Sequence, residues 1–364
     1  MKKRYAAAGI GLLVLLLAGY VVQESKRPAE YYIKKAEQLE RDDEEKLALI
    51  QWRNAKNRSL KNTGDNTAEI ARICIGLADC AEDRDEAYED YQKAMDIYES
   101  LEDEPGMAEA YRRMGTMYRM NGEKERARDY LGRAEAYYGR YGETDPTRLY
   151  ELNLDLSVVS GEYEEELARL RTCEELLPSL PEETRGEETI TVYNNLCSIF
   201  YRNKHYEEAM EYFPRLLEAY EKEGAKDYGG MANAYHYYGY TYALNKDAAN
   251  AKKYIEEAIR ICGKMTEDES YEELAMSYLH MAEIYGYLET PPDYETALQY
   301  GVKACQCYGD RKTLANEDFT MLKDIVGRLK EIYQAKNGGD ASGFEQWLGE
   351  RVTINANSYM ISFP

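Results

Sequence analysis

Between Ala110 and Tyr138 the apolar positions fall into two sets separated by a polar break. Tyr111, Met114, Gly115 and Tyr118 recur at three- and four-residue intervals, Asn121 and Gly122 interrupt, and Ala127, Leu131 and Ala134 resume the same spacing. Such intervals place side chains on one face of an α-helix, so the segment predicts two amphipathic helices joined by a tight turn. The first face runs large, large, small, large. The second supplies alanines, which let two helix backbones approach closely. The stretch AYHYYGYTYA, Ala234 to Ala243, at first sight predicts something else, because five tyrosines at nearly alternate positions are the pattern of a half-buried strand. In the same frame, however, Tyr235, Tyr238, Gly239 and Tyr242 repeat the large, large, small, large face, and Asn245 with Lys246 supplies the turn. A helix is therefore predicted there too, with an opposite face that is also aromatic.

The frame recurs along the chain. The alanine that opens the second helix appears as Ala48, Ala87, Ala127, Ala209, Ala251 and Ala297, with Glu166 the exception. Seven residues on, the second small site reads Ala55, Ala94, Ala134, Cys173, Ala258 and Ala304, with Leu216 departing. The bulky site between them reads Trp52, Tyr91, Leu131, Leu170, Phe213 and Ile255, and Gly301 takes its place in the last repeat. On the first helices the small site is Ala36, Gly115, Cys197, Gly239 and Ala282, while Ile75 and Leu154 make the second and fourth repeats the weakest matches.

These residue types at these intervals resemble the tetratricopeptide repeat. The opening alanines lie about 39 to 46 residues apart, against about 34 in the commonest form. The longer period is similar to that of bacterial regulators that bind signalling peptides and of some motor-cargo adaptors. The resemblance implies an all-α fold, a right-handed α-solenoid of about seven helix pairs over residues 29–310, with the first helices lining a concave face. Phe319, Leu322, Val326 and Leu329 on one helical face predict a capping helix within 311–337. A linker, a short helix and a tail are expected over 338–364.

Ahead of the repeats, Lys2, Lys3 and Arg4 precede an apolar run from Ala6 to Val22, so residues 1–28 read as a membrane anchor or a cleaved signal. The reading favours a single-pass bacterial membrane protein with its C-terminal part exported, secretion after cleavage being the alternative. A formal charge of -22 disfavours nucleic acid as a partner and favours basic ligands. The seven cysteines are too sparse for a disulfide scaffold and read as small buried residues. With three histidines, no H-E-x-x-H and no phosphate loop, neither a metal nor a cofactor is expected, and the chain reads as non-enzymatic.

The expected binding face consists of first-helix residues not used in packing. These are Arg112 and Arg119 in the third repeat, Asn194, Asn195, Tyr201 and Arg202 in the fifth, His236, Tyr237 and Tyr240 in the sixth, and His280, Glu283 and Tyr287 in the seventh. Arginine and asparagine suit a peptide's carboxylate or main chain, and tyrosine stacks on its side chains. The expected function is an interaction scaffold of the bacterial envelope that holds a protein or peptide. A peptide- or ligand-responsive regulator, and an accessory factor in envelope polysaccharide handling, are the alternatives.

Overall fold

The structure, a computed structural model, describes residues 27–42, 44–62, 64–224, 227–309 and 315–352. The expected anchor at residues 6–22 and the tail beyond 352 lie outside the described residues. Among those described, no helix is long and apolar enough to cross a membrane. Regular structure among them is entirely helical. In chain order the helices are α1 (Ala29–Arg41), α2 (Glu45–Asn62), α3 (Ala68–Asp79), α4 (Arg84–Ser100), α5 (Glu104–Met120), α6 (Lys124–Tyr141), α7 (Pro146–Val159) and α8 (Tyr163–Leu176). They continue as α9 (Glu182–Arg202), α10 (Tyr206–Glu223), α11 (Tyr228–Leu244), α12 (Ala248–Cys262), α13 (Glu267–Glu283), α14 (Tyr294–Gly309), α15 (Asn316–Lys336) and α16 (Phe344–Gly349). A π-helical turn, Ile284–Leu288, follows α13.

Two compact units divide the chain at Arg169 and Leu170. The first holds the pairs α1/α2, α3/α4 and α5/α6, then α7 and the start of α8. The second holds the pairs α9/α10, α11/α12 and α13/α14, followed by α15 and α16. Consecutive helices pack as pairs, the arrangement of an all-α solenoid. Aspartates start many of them: Asp103, Asp227 and Asp247 accept from the backbone N–H groups of Gly106, Gly230 and Asn250 at 3.0, 2.8 and 3.1 Å. Each satisfies an orphan donor at a positively polarised helix end, which puts part of the acidic composition to structural use.

The repeat sites are buried as the spacing predicts. All six opening alanines and all six residues of the second small site are buried, and so are Trp52, Tyr91, Leu131, Leu170, Phe213 and Ile255. Gly115 must be small because a Cβ there would lie 2.6 Å from Leu131 Cγ. Gly301 has its own explanation, since Leu329 of α15 occupies the space that its side chain would fill. The missing bulky residue of the last pair is thus supplied by the capping helix. That helix buries a wider face than predicted, with Ile325 and Ile332 joining Leu322, Val326 and Leu329, while Phe319 is only half-buried. On α7 the frame slips: Leu154 is half-buried, and its neighbours Asn153 and Asp155 are the buried positions. Six cysteines are buried and Cys307 is half-buried.

AYHYYGYTYA lies inside α11 and is helical throughout. Its packing face gathers around Tyr254 of α12, with ring centroids 4.3 Å from Tyr238, 5.4 Å from Tyr242 and 6.4 Å from Tyr235. Phe213 of α10 stacks on Tyr238 from the preceding pair at 5.5 Å. Tyrosine suits these places because the ring packs while the hydroxyl finds a partner, as between Tyr238 and Tyr242 at 3.1 Å.

Candidate functional site

The sequence-selected residues of the first unit are engaged in a charge network. Arg112 is 4% exposed and pairs with Glu109 at 2.8 Å and Glu151 at 3.0 Å. Arg113 reaches the same Glu109 at 2.7 Å and Asp79 at 3.4 Å, and the Tyr91 hydroxyl donates to Asp79. Burial opposes ionisation of Glu109, but the two guanidiniums outweigh it and bring its carboxyl down to about 2. Arg119 pairs with Asp155 of α7 at 2.8 Å. The expectation that Arg112 presents its guanidinium to a ligand is therefore corrected, because two carboxylates have drawn it inside. Arg119 remains partly exposed, beside its carboxylate.

In the second unit, five of the selected residues meet. Tyr201 of α9, His236, Tyr237 and Tyr240 of α11 and His280 of α13 line one cleft of about 520 Å³. The lining comes mainly from the first helices of three successive pairs, with α15 closing the side. The rings touch one another: Tyr201 and Tyr237 have centroids 4.8 Å apart at 65°, and Tyr240 stacks on His280 at 3.8 Å and 14°. Carboxylates of Glu272, Glu273, Glu317 and Asp318 share the lining with one guanidinium, Arg328. Arg328 is already paired, to Glu283 at 2.5 Å and to Asp324 at 3.0 Å. Asp318 is engaged as well, accepting from the Tyr271 hydroxyl at 3.0 Å and from the Ala315 N–H at 2.8 Å.

Other selected residues do not join the cleft. Asn194 and Arg202 are exposed on α9, and Asn195 donates to the Thr191 carbonyl of its own helix at 2.9 Å. Glu283 does not line the cleft but pairs with Arg328, which does, and Tyr287, 52% exposed, lies in the π-helical turn. The sequence reading missed Glu273, Met276 and Ser277. The signal was available, since they precede His280 by seven, four and three residues and so share its helical face.

Behind the cleft a hydrogen-bonded chain links three side chains. Ser277 Oγ lies 2.9 Å from His236 Nδ1, and His236 Nε2 lies 3.1 Å from His280 Nδ1. Ser277 is fully buried, which removes it as a nucleophile for any bound substrate. Burial lowers His236 to about 4, and burial together with the neighbouring His236 and Arg328 lowers His280 well below its ordinary value. Both rings are neutral at pH 7.

A stability consequence follows from the sign of these shifts. The folded pKa lies below the unfolded one, so the unfolded chain takes up protons first, and stability present above about pH 6.5 falls as the pH drops toward 4. The second unit is expected to lose about 2 kcal/mol between pH 7 and pH 5 from His236 alone. Urea midpoints at the two pH values check this against His236→Gln, which does not titrate. An equal pH dependence in the variant would refute the assignment.

Known proteins place these features. The tetratricopeptide repeat family model matches residues 66–139 and 188–264, which are the second and third pairs and the fifth and sixth. The chain therefore carries tetratricopeptide repeats in both units. No curated protein matches the sequence. Among solved structures, the apo form of RapI is similar with a TM-score of 0.64 at 14% identity, over 85% of this chain and 86% of that one. A STAND protein with a tetratricopeptide repeat sensor from Pyrococcus horikoshii is similar with a TM-score of 0.51 at 15% identity, over 89% of this chain and 54% of that one. At such identities the likeness concerns the fold.

Proposed function

We propose that the chain is a non-catalytic interaction module that holds a protein or peptide segment in the cleft of its second unit. The observation that carries this reading is the cleft itself, where first helices of three successive pairs bring tyrosine rings and carboxylates to one concavity. Stacked rings with hydroxyl edges suit both apolar and polar parts of a peptide. The apolar run at residues 6–22 supports placement at a bacterial membrane, with the repeats presented in the envelope.

A photo-crosslinking residue at Tyr240, introduced into the full chain in native membranes, is expected to trap a discrete partner. The same residue at exposed Tyr88 of α4 is expected not to. Tyr240→Ala is expected to weaken that association about fivefold or more, since a ring stacked in a contact region contributes on the order of 1 kcal/mol. Identical products from Tyr240 and Tyr88 would sink the proposal. The tetratricopeptide repeat sensor of the Pyrococcus protein favours a second reading, in which occupancy of the cleft changes how the repeats pack and so signals. A change in solution radius of gyration on partner addition distinguishes it from a passive scaffold.

A further inference from the structure

The buried histidine pair fixes what the cleft offers to a ligand. His280 is 6% exposed and lines the cleft, and its Nε2 has no hydrogen-bond partner among the described residues. Which way that nitrogen is polarised follows from the other end of the chain. Ser277 is fully buried, and its hydroxyl has one partner among the described residues, His236 Nδ1. A buried hydroxyl proton without an acceptor is costly, so Ser277 donates and Nδ1 accepts. A neutral imidazole carries one N–H, so His236 holds its proton on Nε2 and donates to His280 Nδ1. His280 must then carry its own proton on Nε2, at the cleft.

That donor opens into a cleft whose lining holds more carboxylates than cations. Glu272, Glu273 and Glu317 share the lining, and Arg328 is already paired by Glu283 and Asp324. A free carboxylate or phosphate would be repelled on reaching the N–H, whereas a neutral carbonyl meets no such penalty. The unneutralised carboxylates call for a cation close to that carbonyl. The faces of Tyr201, Tyr237 and Tyr240 suit the same cation and its aliphatic stem.

We propose that the cleft takes a main-chain carbonyl of a peptide on the His280 Nε2–H and an adjacent lysine or arginine side chain against Glu273 and Glu317. This rests on the reading of the cleft as the binding face. A neutral oligosaccharide would satisfy the N–H and leave the carboxylates unused, which is why a peptide is the better fit.

The test has two parts. With three histidines in the chain, long-range ¹⁵N–¹H spectra of the histidine-labelled full-length protein report the tautomers directly, and His236 and His280 are both expected as Nε2–H forms at pH 7. A protonated Nδ1 on His236 would overturn the inference without any ligand. A library of capped hexapeptides, with chitohexaose and maltohexaose beside it, is then screened against the full chain. Its tightest members are expected to carry lysine or arginine and to weaken at least tenfold when that residue becomes glutamine. His280→Phe is expected to weaken them about tenfold, the effect of one hydrogen bond, and His280→Gln to recover part of the loss. Selection of acidic peptides, preference for a sugar, or no binder at all overturns the proposal. If Tyr240→Ala abolishes binding while His280→Phe does not, only the carbonyl contact fails. If neither variant matters, the cleft is not the binding face.

Discussion

Gly239→Leu is expected to destabilise the second unit by about 3 kcal/mol or more, at the upper end of what overpacking costs. A Cβ at this position would lie 2.9 Å from the Ile255 backbone nitrogen and 3.0 Å from the Ala251 carbonyl oxygen. Both are main-chain atoms of α12, so no rotamer change relieves the clash and the two helices must part. Parting them loosens Tyr238 and Tyr242 from Tyr254, and it moves the opposite face of α11, which carries His236 and Tyr240 into the cleft. Gly132→Ala provides the control of opposite sign. It sits mid-helix in α6 with nothing within 4 Å of its would-be Cβ, so alanine is expected to stabilise the first unit by about 1 kcal/mol. Chemical denaturation of the three chains checks both, and a Gly239→Leu midpoint equal to the parent's would refute the close-packing account.

Most of the fold was legible because packing in this repeat is local. Each helix pair answers to residues three, four and seven positions apart, so the small and bulky sites could be placed by counting, and they are buried where counting put them. Reading failed where a longer-range neighbour decides. Gly301 departs from the pattern because Leu329, on a helix outside the repeats, fills its site. On α7 the burial of Asn153 answers to a polar partner rather than to apolar spacing, since Arg169 donates to it at 3.2 Å.

The candidate site was half legible for a related reason. Residues pointing away from the packing face could be listed, but whether such a residue meets a ligand or another side chain depends on the next repeat. His236 and His280 are 44 positions apart and nothing in their spacing announces a contact, yet equivalent faces of successive first helices bring them to 3.1 Å. The same adjacency gave Arg112 the Glu151 carboxylate of α7 and removed it from the binding face.

Arg112→Met is accordingly expected to cost stability rather than binding, about 3 kcal/mol at pH 7. Methionine keeps the aliphatic bulk but leaves the largely buried Glu109 with Arg113 alone and removes the contact to the more exposed Glu151, and removing one member of a buried pair is costly because the other charge stays desolvated. The pH dependence identifies the cause. In the parent, Glu109 is held at about 2, below its unfolded value, so its contribution is complete above about pH 4.5 and is lost as the pH falls toward 2. In the variant, burial is opposed by one guanidinium fewer, the carboxyl protonates at higher pH, and part of that contribution is absent. The gap between parent and variant should therefore be widest near neutrality and narrow as the pH falls from about 5 toward 3. A Glu109→Gln background, where no carboxylate is left for Arg112 to hold at that position, should reduce the cost of Arg112→Met. Denaturation at pH 7 and pH 3.5 on the four chains of this cycle checks the account. A gap that stays constant with pH would refute the account in which Arg112 acts by holding the Glu109 carboxylate ionised.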